Sequence, residues 1–386
     1  MKTEVTLSNS VLTWILEQIP DPQAISDRVI NNLHKWLRGE KQPTFCQVED
    51  ASKATGIPLG YFFLTSPPNL DQSILEFRTI NSEETNKLSP GLASTIHDME
   101  MIQEWIREDM LSNGESELSF VGSKDTNTKP HDFAETIRST LGISENWQKD
   151  NQIQISTTNT FNFLRKKISN IGITVMANGV VGKNTKRPLD INEFRAFALC
   201  DKYAPLIFIN NKDTNNGKVF SLLHELVHIW LGENNIYNEI STSTQSNKVV
   251  EILCNAVAAE ILVPNEIFIK NWDVLIKQKD LNDVVNDLSS AFKCSKSVII
   301  RKALDNKLIS KQVYDKLINL AIETYKKAAS SGGNYYNTLT SRIDSRFLNR
   351  LIVSLGEGKT QYSEALRLTY TNNRTFKNLT QGVDNK

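Results

Sequence analysis

The sequence contains little of what marks disulfide-rich, zinc-ribbon or membrane proteins. Its four cysteines lie far apart among 386 residues, and none forms a CxxC pair. This spacing excludes a disulfide framework and a zinc ribbon, and it is typical of a protein from a reducing compartment. No apolar run approaches the roughly 18–20 residues that a membrane-spanning helix needs. The short apolar stretch from Val11 to Leu16 lacks a small-residue cleavage pattern. We therefore expect no membrane span, no secretory signal and a cytoplasmic location.

Charge of neither sign is in excess. The chain has 44 basic and 44 acidic side chains, which excludes a whole-molecule electrostatic attraction to nucleic acid or to anionic lipid. The balanced charge does not exclude a local basic patch. Hydrophobic residues make up 39% of the chain and charged residues 23%, as in ordinary globular proteins. At roughly 100–200 residues per domain, the length predicts two or three domains.

Hydrophobic spacing divides the chain into four regions. Residues 1–68 show a helical pattern with tight glycine and proline punctuation, which predicts a small module of helix-turn-helix type. Residues 69–150 are predicted to be a helical connecting region and residues 271–386 a C-terminal helical region. Between them, residues 151–270 combine helices with short β-branched and aromatic runs, which are typical of strands. The sequence therefore predicts an α+β core with helical material on both sides.

The core has a definite predicted order of elements. Strands are expected at 171–175, 194–199 and 206–210, and helices follow them at 218–231 and 248–262. One further short strand is expected at 118–121, in the connecting region. Tyr237 follows the first of the two helices and is assigned to a surface loop.

The strongest chemical signal is the segment His-Glu-Leu-Val-His at residues 224–228. On a helix, residues four apart lie on the same face, one turn above the other. His224 and His228 can therefore direct two imidazole nitrogens at one ion about 2 Å away, as zinc requires. Glu225 lies one step round the helix, where it is suited to hold a proton rather than bind the ion. The alternative is that both histidines are packing residues of a buried helix.

A zinc site of this kind needs a third protein ligand, and Glu251 at the start of the next predicted helix is the best candidate. Asn255 lies four residues further on, on the same face, where its side chain can accept the second N–H of a zinc-bound imidazole. Glu260 lies nine positions after Glu251 and about 180° round the helix, so it should point elsewhere. The alternative for Glu251 is a first-turn carboxylate that the helix dipole stabilises.

This set of residues predicts hydrolysis of an amide. Two histidines and a glutamate hold Zn²⁺, which lowers the pKa of a bound water toward about 7 and polarises a carbonyl. Glu225 would take the proton from that water and pass it to the departing amine. We also expect that the strand at 206–210, if it lies at a sheet edge, pairs with an extended substrate.

The stretch from Phe194 through Pro264 resembles the ImmA/IrrE family of metallopeptidases. It shares the HELVH motif and the block EILCNAVAAEILVP, which is similar to the family pattern E-x-x-A-N-x-F-A-A-E-L-L-M-P. On that pattern Glu251 falls on the third zinc ligand, and the chain differs at four apolar positions: Cys254 (usually Ala), Val257 (usually Phe), Ile261 (usually Leu) and Val263 (usually Met). The resemblance implies a zincin-like core, which is a small sheet with the HExxH helix and a following ligand helix.

The N-terminal region also resembles the XRE-type helix-turn-helix domain of longer family members. Such proteins typically cleave a helix-turn-helix repressor and relieve repression in stress responses or mobile elements, so the resemblance implies a protein substrate of that type. Residues 1–60 contain six basic and seven acidic side chains, which is a poor charge balance for holding phosphates. We therefore favour a module that docks protein over one that reads DNA.

Three functional hypotheses remain open at the level of sequence. The first is a zinc-dependent endopeptidase of narrow specificity. The second is a DNA-binding transcriptional regulator whose zinc site is not catalytic. The third is a toxin-like component of a toxin–antitoxin or phage-defence system. The identity of the substrate, the activating signal and the oligomeric state have no signature in the sequence.

Overall fold

The fold is described from a computed structural model, which covers residues 4–17, 19, 25–55, 57, 59–67, 88–149, 156, 159–237, 245–326 and 341–381. The first half of this part of the chain has helices α1 (Asn9–Glu17), α2 (Asp27–Leu37), α3 (Phe45–Thr55), α4 (Pro90–Ser112), α5 (Pro130–Leu141) and α6 (Thr160–Asn170). Two 3₁₀ helices lie at Leu59–Phe63 and Trp147–Lys149. The central strands are β1 (Thr174–Asn178), β2 (Ala196–Leu199) and β3 (Leu206–Asn210).

The second half is mainly helical. It contains α7 (Asn215–Leu231), strand β4 (Asn235–Tyr237), α8 (Gln245–Leu262), α9 (Asn265–Leu275), α10 (Leu281–Ala291), α11 (Lys296–Asp305), α12 (Lys311–Lys326), α13 (Ser345–Gly356), α14 (Tyr362–Leu368) and α15 (Asn373–Gln381). The predicted α+β class is thus borne out as a mixed fold with one small sheet. The proposed domain boundaries stay predictions.

The four strands form one sheet in the order β1-β3-β2-β4. β1 pairs with β3 in parallel, whereas β2 pairs antiparallel with both β3 and β4. β3 is therefore an interior strand. The condition under which this strand would pair with substrate, a position at a sheet edge, is therefore not met, because its backbone groups are bonded to β1 and β2 on either side. The edges of this sheet are β1 and β4. Tyr237, which we had assigned to a loop, is the last residue of β4.

Both faces of the sheet are covered by helices. Along β2 and β3, Ala198 and Ile207 belong to one hydrophobic cluster and Phe197 and Phe208 to another. Successive side chains of a strand point to opposite faces, so each strand contributes to both clusters. The first cluster contains the buried faces of α7 and α8, and the second contains those of α4 and of the C-terminal helices α13 and α14. The sheet is thus the middle layer of three.

The N-terminal helices have a hydrophobic core of their own. α1, α2, α3 and the 3₁₀ helix at Leu59–Phe63 contribute its buried side chains, which include Leu12, Leu33, Val48 and Phe62. Gly39 has a φ of +70° two residues after α2, as we expect where a helix ends at glycine. A small helical module is therefore present, while its likeness to a DNA-binding domain stays a prediction.

The short strand expected at 118–121 is wrong. These residues form turns, and the N–H of Leu118 donates to the carbonyl of Lys202 while that of Val121 donates back to Leu118. Periodicity cannot separate a short apolar turn from a strand. The segment at residues 66–69, whose two prolines predict a hinge, lies partly outside the described residues, and the serine- and glycine-rich segment at 330–333, which predicts a break in the helical pattern, lies wholly outside them.

Candidate metal centre

Helix α7 places both histidines of the HELVH motif in the interior. The Thr214 hydroxyl accepts a hydrogen bond from the Gly217 N–H at 3.1 Å and so caps the helix at its N-terminus. Gly232 ends the helix in the left-handed conformation, with a φ of +76°, as its position in the sequence predicts. Every residue from Ser221 to Trp230 is buried.

The two imidazoles converge. The Nε2 atoms of His224 and His228 lie 3.2 Å apart, and the two side chains are almost fully buried. Two nitrogens bound to one tetrahedral zinc at about 2.0–2.1 Å would be about 3.3 Å apart. The spacing of these nitrogens therefore suits a single shared ion.

Glu251 completes this arrangement from α8. Its two carboxylate oxygens lie 3.2 Å from His224 Nε2 and 3.4 Å from His228 Nε2. Burial by itself raises the pKa of Glu251, but the hydrogen bonds and charges of His224 and His228 outweigh burial and hold the pKa well below its usual range. The carboxylate is therefore an anion at neutral pH, as a zinc ligand must be. Its side chain is 24% exposed, so the site opens toward solvent on this side.

Asn255 contacts the other nitrogen of the first imidazole. Its Oδ1 lies 3.1 Å from His224 Nδ1. An amide oxygen is an acceptor, so this contact places the proton on Nδ1 and leaves Nε2 free to donate its lone pair to a metal. Such outer hydrogen bonds fix the tautomer and the direction of ligating histidines.

Glu225 is fully buried, and neither of its carboxylate oxygens has a hydrogen-bond partner among the described residues. Burial, with a further contribution from the charge of Glu251, raises the pKa of Glu225 well above its usual value. A buried carboxyl group without partners is costly in a fold, and such orphaned groups are characteristic of sites that hold a ligand or move a proton.

Glu260 points away from this cluster, as its place on the helix predicts. It forms a buried ion pair with Lys302 of α11 and accepts a hydrogen bond from the Asn265 N–H at 3.0 Å. His131, to which the sequence assigned no role, has its Nδ1 at 3.5 Å from the same carboxylate. This group is an anchor of α8 rather than a part of the metal centre.

Cys254, which the sequence identified only as an apolar difference from the family pattern, lies next to the centre. Its Sγ and one ring nitrogen from each of His224 and His228 all lie within 4.8 Å of one another, and its side chain is fully buried. Burial raises the pKa of the Cys254 thiol well above its usual value, and the charges of Glu251, Glu225 and Glu233 add to this effect. The available signal was its position three residues after Glu251, which places it on the ligand-bearing face of the helix.

The segment at residues 118–124, which precedes the core in the chain, contacts the C-terminal end of α7. The carbonyl groups of Ile229 and Trp230 in α7 accept hydrogen bonds from the N–H groups of Gly122 and Lys124, both at 3.1 Å. Phe120 also stacks on Trp230, with ring centroids 4.5 Å apart. The segment 118–124 therefore acts as a strap across the end of α7.

The last carbonyl groups of α8 are bonded in the same way. Arg138 donates to the carbonyl of Glu260 at 3.1 Å, and Gln148 donates to that of Leu262 at 2.6 Å. Trp147 Nε1 donates to the carbonyl of Ile261 at 3.4 Å. Without these side chains the C-terminal carbonyls of a buried helix would lack partners.

A small sheet, a buried helix with two histidines one turn apart, and a second helix that brings a carboxylate to them form the arrangement that a catalytic His₂Glu zinc site requires. Residues 168–304 match the family model Peptidase_M78, described as the IrrE N-terminal-like domain. The match covers roughly a third of the chain and supports its resemblance to metallopeptidases of the ImmA/IrrE type. A search of curated proteins found no match. No single helix among the described residues is both long and apolar enough to cross a membrane.

Proposed function

We propose that this protein is a zinc-dependent endopeptidase, in which His224, His228 and Glu251 hold the metal. The observation that carries this proposal is the convergence of two buried imidazoles and one ionised carboxylate within 3.2–3.4 Å of one another. Zinc bound there would polarise a substrate carbonyl and lower the pKa of a water molecule. Asn255 keeps the His224 imidazole in the tautomer that can bind it.

Glu225 is the proton carrier in this proposal. Its carboxylate is buried, has no hydrogen-bond partner among the described residues and has a raised pKa. It can therefore accept a proton, since no neighbouring donor in that part of the chain already bonds its oxygens. It takes the proton of the attacking water and returns it to the amine that leaves. Since general acid–base catalysis of this kind contributes typically 10²–10⁴-fold in rate, the loss of this one carboxyl group should abolish most cleavage.

The proposed substrate is a regulatory protein, in particular a repressor of helix-turn-helix type whose cleavage relieves repression in a stress or mobile-element response. The family match of residues 168–304 supports peptidase activity. The resemblance of the N-terminal region to that of longer family members supports a repressor as the kind of substrate. The N-terminal module, with its own hydrophobic core, is proposed to dock that protein rather than DNA, because residues 1–60 carry one more acidic than basic side chain.

The test is Glu225→Gln, which keeps the size of the side chain and removes its basicity. Cells that express either the wild-type protein or this variant would be compared by mass spectrometry of newly formed protein N-termini. We expect a small set of new termini that only the wild-type protein produces, and equal zinc content in the two purified proteins. Identical termini in both strains, together with an unchanged biological effect, would favour a regulator without catalysis.

A further inference from the structure

We propose that Cys254 is a fourth protein ligand of the metal and that it competes with the water needed for hydrolysis. The proposal deepens the function proposed above and rests on the same metal site. The Sγ of Cys254 and one ring nitrogen from each of His224 and His228 lie within 4.8 Å of one another. This buried cluster therefore offers a sulfur donor in addition to the two imidazoles and Glu251.

Helical geometry places the thiol among the other ligands of α8. Cys254 follows Glu251 by three residues and precedes Asn255 by one, and residues three and four apart share a helix face. Both neighbours on that face contact His224, through the carboxylate at 3.2 Å and through the amide oxygen at 3.1 Å. The face that carries Cys254 is thus the one that α8 presents to the imidazoles.

The required movement of the sulfur is small. A tetrahedral zinc with nitrogens at about 2.1 Å and a thiolate at about 2.3 Å would have its sulfur about 3.6 Å from each nitrogen. The sulfur already lies within 4.8 Å of a ring nitrogen of each histidine, which exceeds the coordinated distance by only about 1 Å.

A second feature indicates that this space is built for more than packing. Glu225 is fully buried without hydrogen-bond partners among the described residues, and it is close enough for its charge to act on the Cys254 thiol. An acceptor without partners and a thiol thus share one buried region beside the imidazoles. Alanine at 254 would have filled an apolar position there without adding a donor atom.

The chemical consequence is a closed site. Zinc sites with four protein ligands are structural, whereas catalytic sites keep one position for water. When the Cys254 thiolate binds, its proton is released to solvent and the metal has no position left for water. Thiolate and water would then compete for one position, so the wild-type protein should hydrolyse its substrate more slowly than Cys254→Ala, in which three ligands leave that position open.

The experiment uses the full chain loaded with Co²⁺, with the cobalt content measured by elemental analysis. A thiolate ligand produces a sulfur-to-cobalt charge-transfer absorption in the near ultraviolet, whereas histidine and glutamate do not. We expect this absorption in the wild-type protein and its loss in Cys254→Ala. The matched controls are Cys200→Ala and Cys294→Ala, and both variants should keep the absorption. In the wild-type protein the thiol of Cys200 contacts the carbonyl groups of His228 and Glu233.

Acetohydroxamate, which binds metals that have open positions, tests the competition with water. It should bind the cobalt form of Cys254→Ala at least about tenfold more tightly than the wild-type protein. Full cobalt loading of the wild-type protein without the charge-transfer absorption would overturn the proposal. An absorption that persists in Cys254→Ala, or that is lost in Cys200→Ala, would also overturn it. Equal hydroxamate affinities would refute the competition. A wild-type protein that binds no metal would instead refute the metal site itself.

Discussion

At the scale of single residues, the centre depends on three side chains that influence one another's protonation. His224 and His228 come from one helix, and Glu251 comes from the next. The imidazoles hold the pKa of Glu251 low, while burial lowers the pKa of His228, although its hydrogen bond with Glu251 opposes this. A neutral imidazole and an ionised carboxylate are the forms that bind zinc, so both residues are prepared for the ion.

Removal of Glu251 tests this arrangement. In Glu251→Ala the affinity for zinc should fall by more than the roughly 10–100-fold that loss of an outer hydrogen-bond partner typically costs, because an anionic ligand is lost. Competition with a coloured chelator measures the affinity. The matched control is Glu266→Ala, which removes an exposed glutamate from the first turn of α9 and should bind zinc as the wild type does. A wild-type affinity in Glu251→Ala would exclude it as a ligand.

At the scale of elements, the position of the motif helix depends on a contact between two glycines. Gly232 ends α7, and a Cβ atom built on it would lie 3.0 Å from the Cα of Gly122 in the strap. Both glycines have positive φ angles, +76° and +67°, and real side chains rarely approach backbone atoms so closely. A Cβ atom on Gly122 would lie at an ordinary 3.8 Å from the Cα of Gly232, so the tight contact that holds the strap against α7 depends on the glycine at position 232.

A pair of glycine substitutions separates strain from crowding. Gly114 has a φ of +69°, but a Cβ there would meet nothing within 4 Å. Gly114→Ala should therefore lower the free energy of unfolding by only the roughly 1–2 kcal/mol that a left-handed residue costs. Gly232→Ala should lower it by clearly more, because the strap must also move away from α7. Urea denaturation measures both values, and equal losses would show that the close approach has no energetic weight.

At the scale of the whole molecule, the segment that matches the family model lacks the helices that cover one face of its sheet. Its sheet has Phe197 and Phe208 on the face opposite α7, and the helices that cover this face lie outside residues 168–304. Arg165 and Asp344, which also lie outside residues 168–304, hydrogen-bond to Val175 in strand β1 of this sheet. Arg165 donates to the carbonyl of Val175, and Asp344 accepts from the Val175 N–H at 3.2 Å and from the Ser169 hydroxyl at 2.9 Å.

Expression of residues 168–304 alone should therefore give an unstable product. The apolar face of the sheet and the last carbonyl groups of α8 would be exposed, and exposed apolar surface of this size favours aggregation. We expect the segment to aggregate or to bind the dye ANS strongly, whereas residues 88–381 should give a cooperative thermal transition and bind little dye. A soluble, cooperatively unfolding 168–304 segment would contradict this account of the core.

The sequence predicted the local parts of the site more fully than its surroundings. The four-residue spacing of His224 and His228 places them on one face of a helix. The same spacing places Glu251 and Asn255 on one face of the next helix. The opposite orientation of Glu260 is confirmed for the same reason. Cys254 was interpreted as an apolar substitution, because a cysteine in an apolar run is indistinguishable from a packing residue until its neighbours in space are known. The segment 118–121 was misassigned because a short apolar run has no period of its own.

The sequence by itself determined which residues share a helix face, since a helix has a fixed period and each turn involves only near neighbours. It thereby determined the pair of imidazoles, the carboxylate and amide of α8, and the metal chemistry they favour. Only the tertiary structure decided that β3 is an interior strand, that the strap closes on α7 through Gly122, and that Cys254 lies beside the imidazoles. Those features depend on contacts between residues far apart in the chain, and such contacts are set by the packing of whole elements.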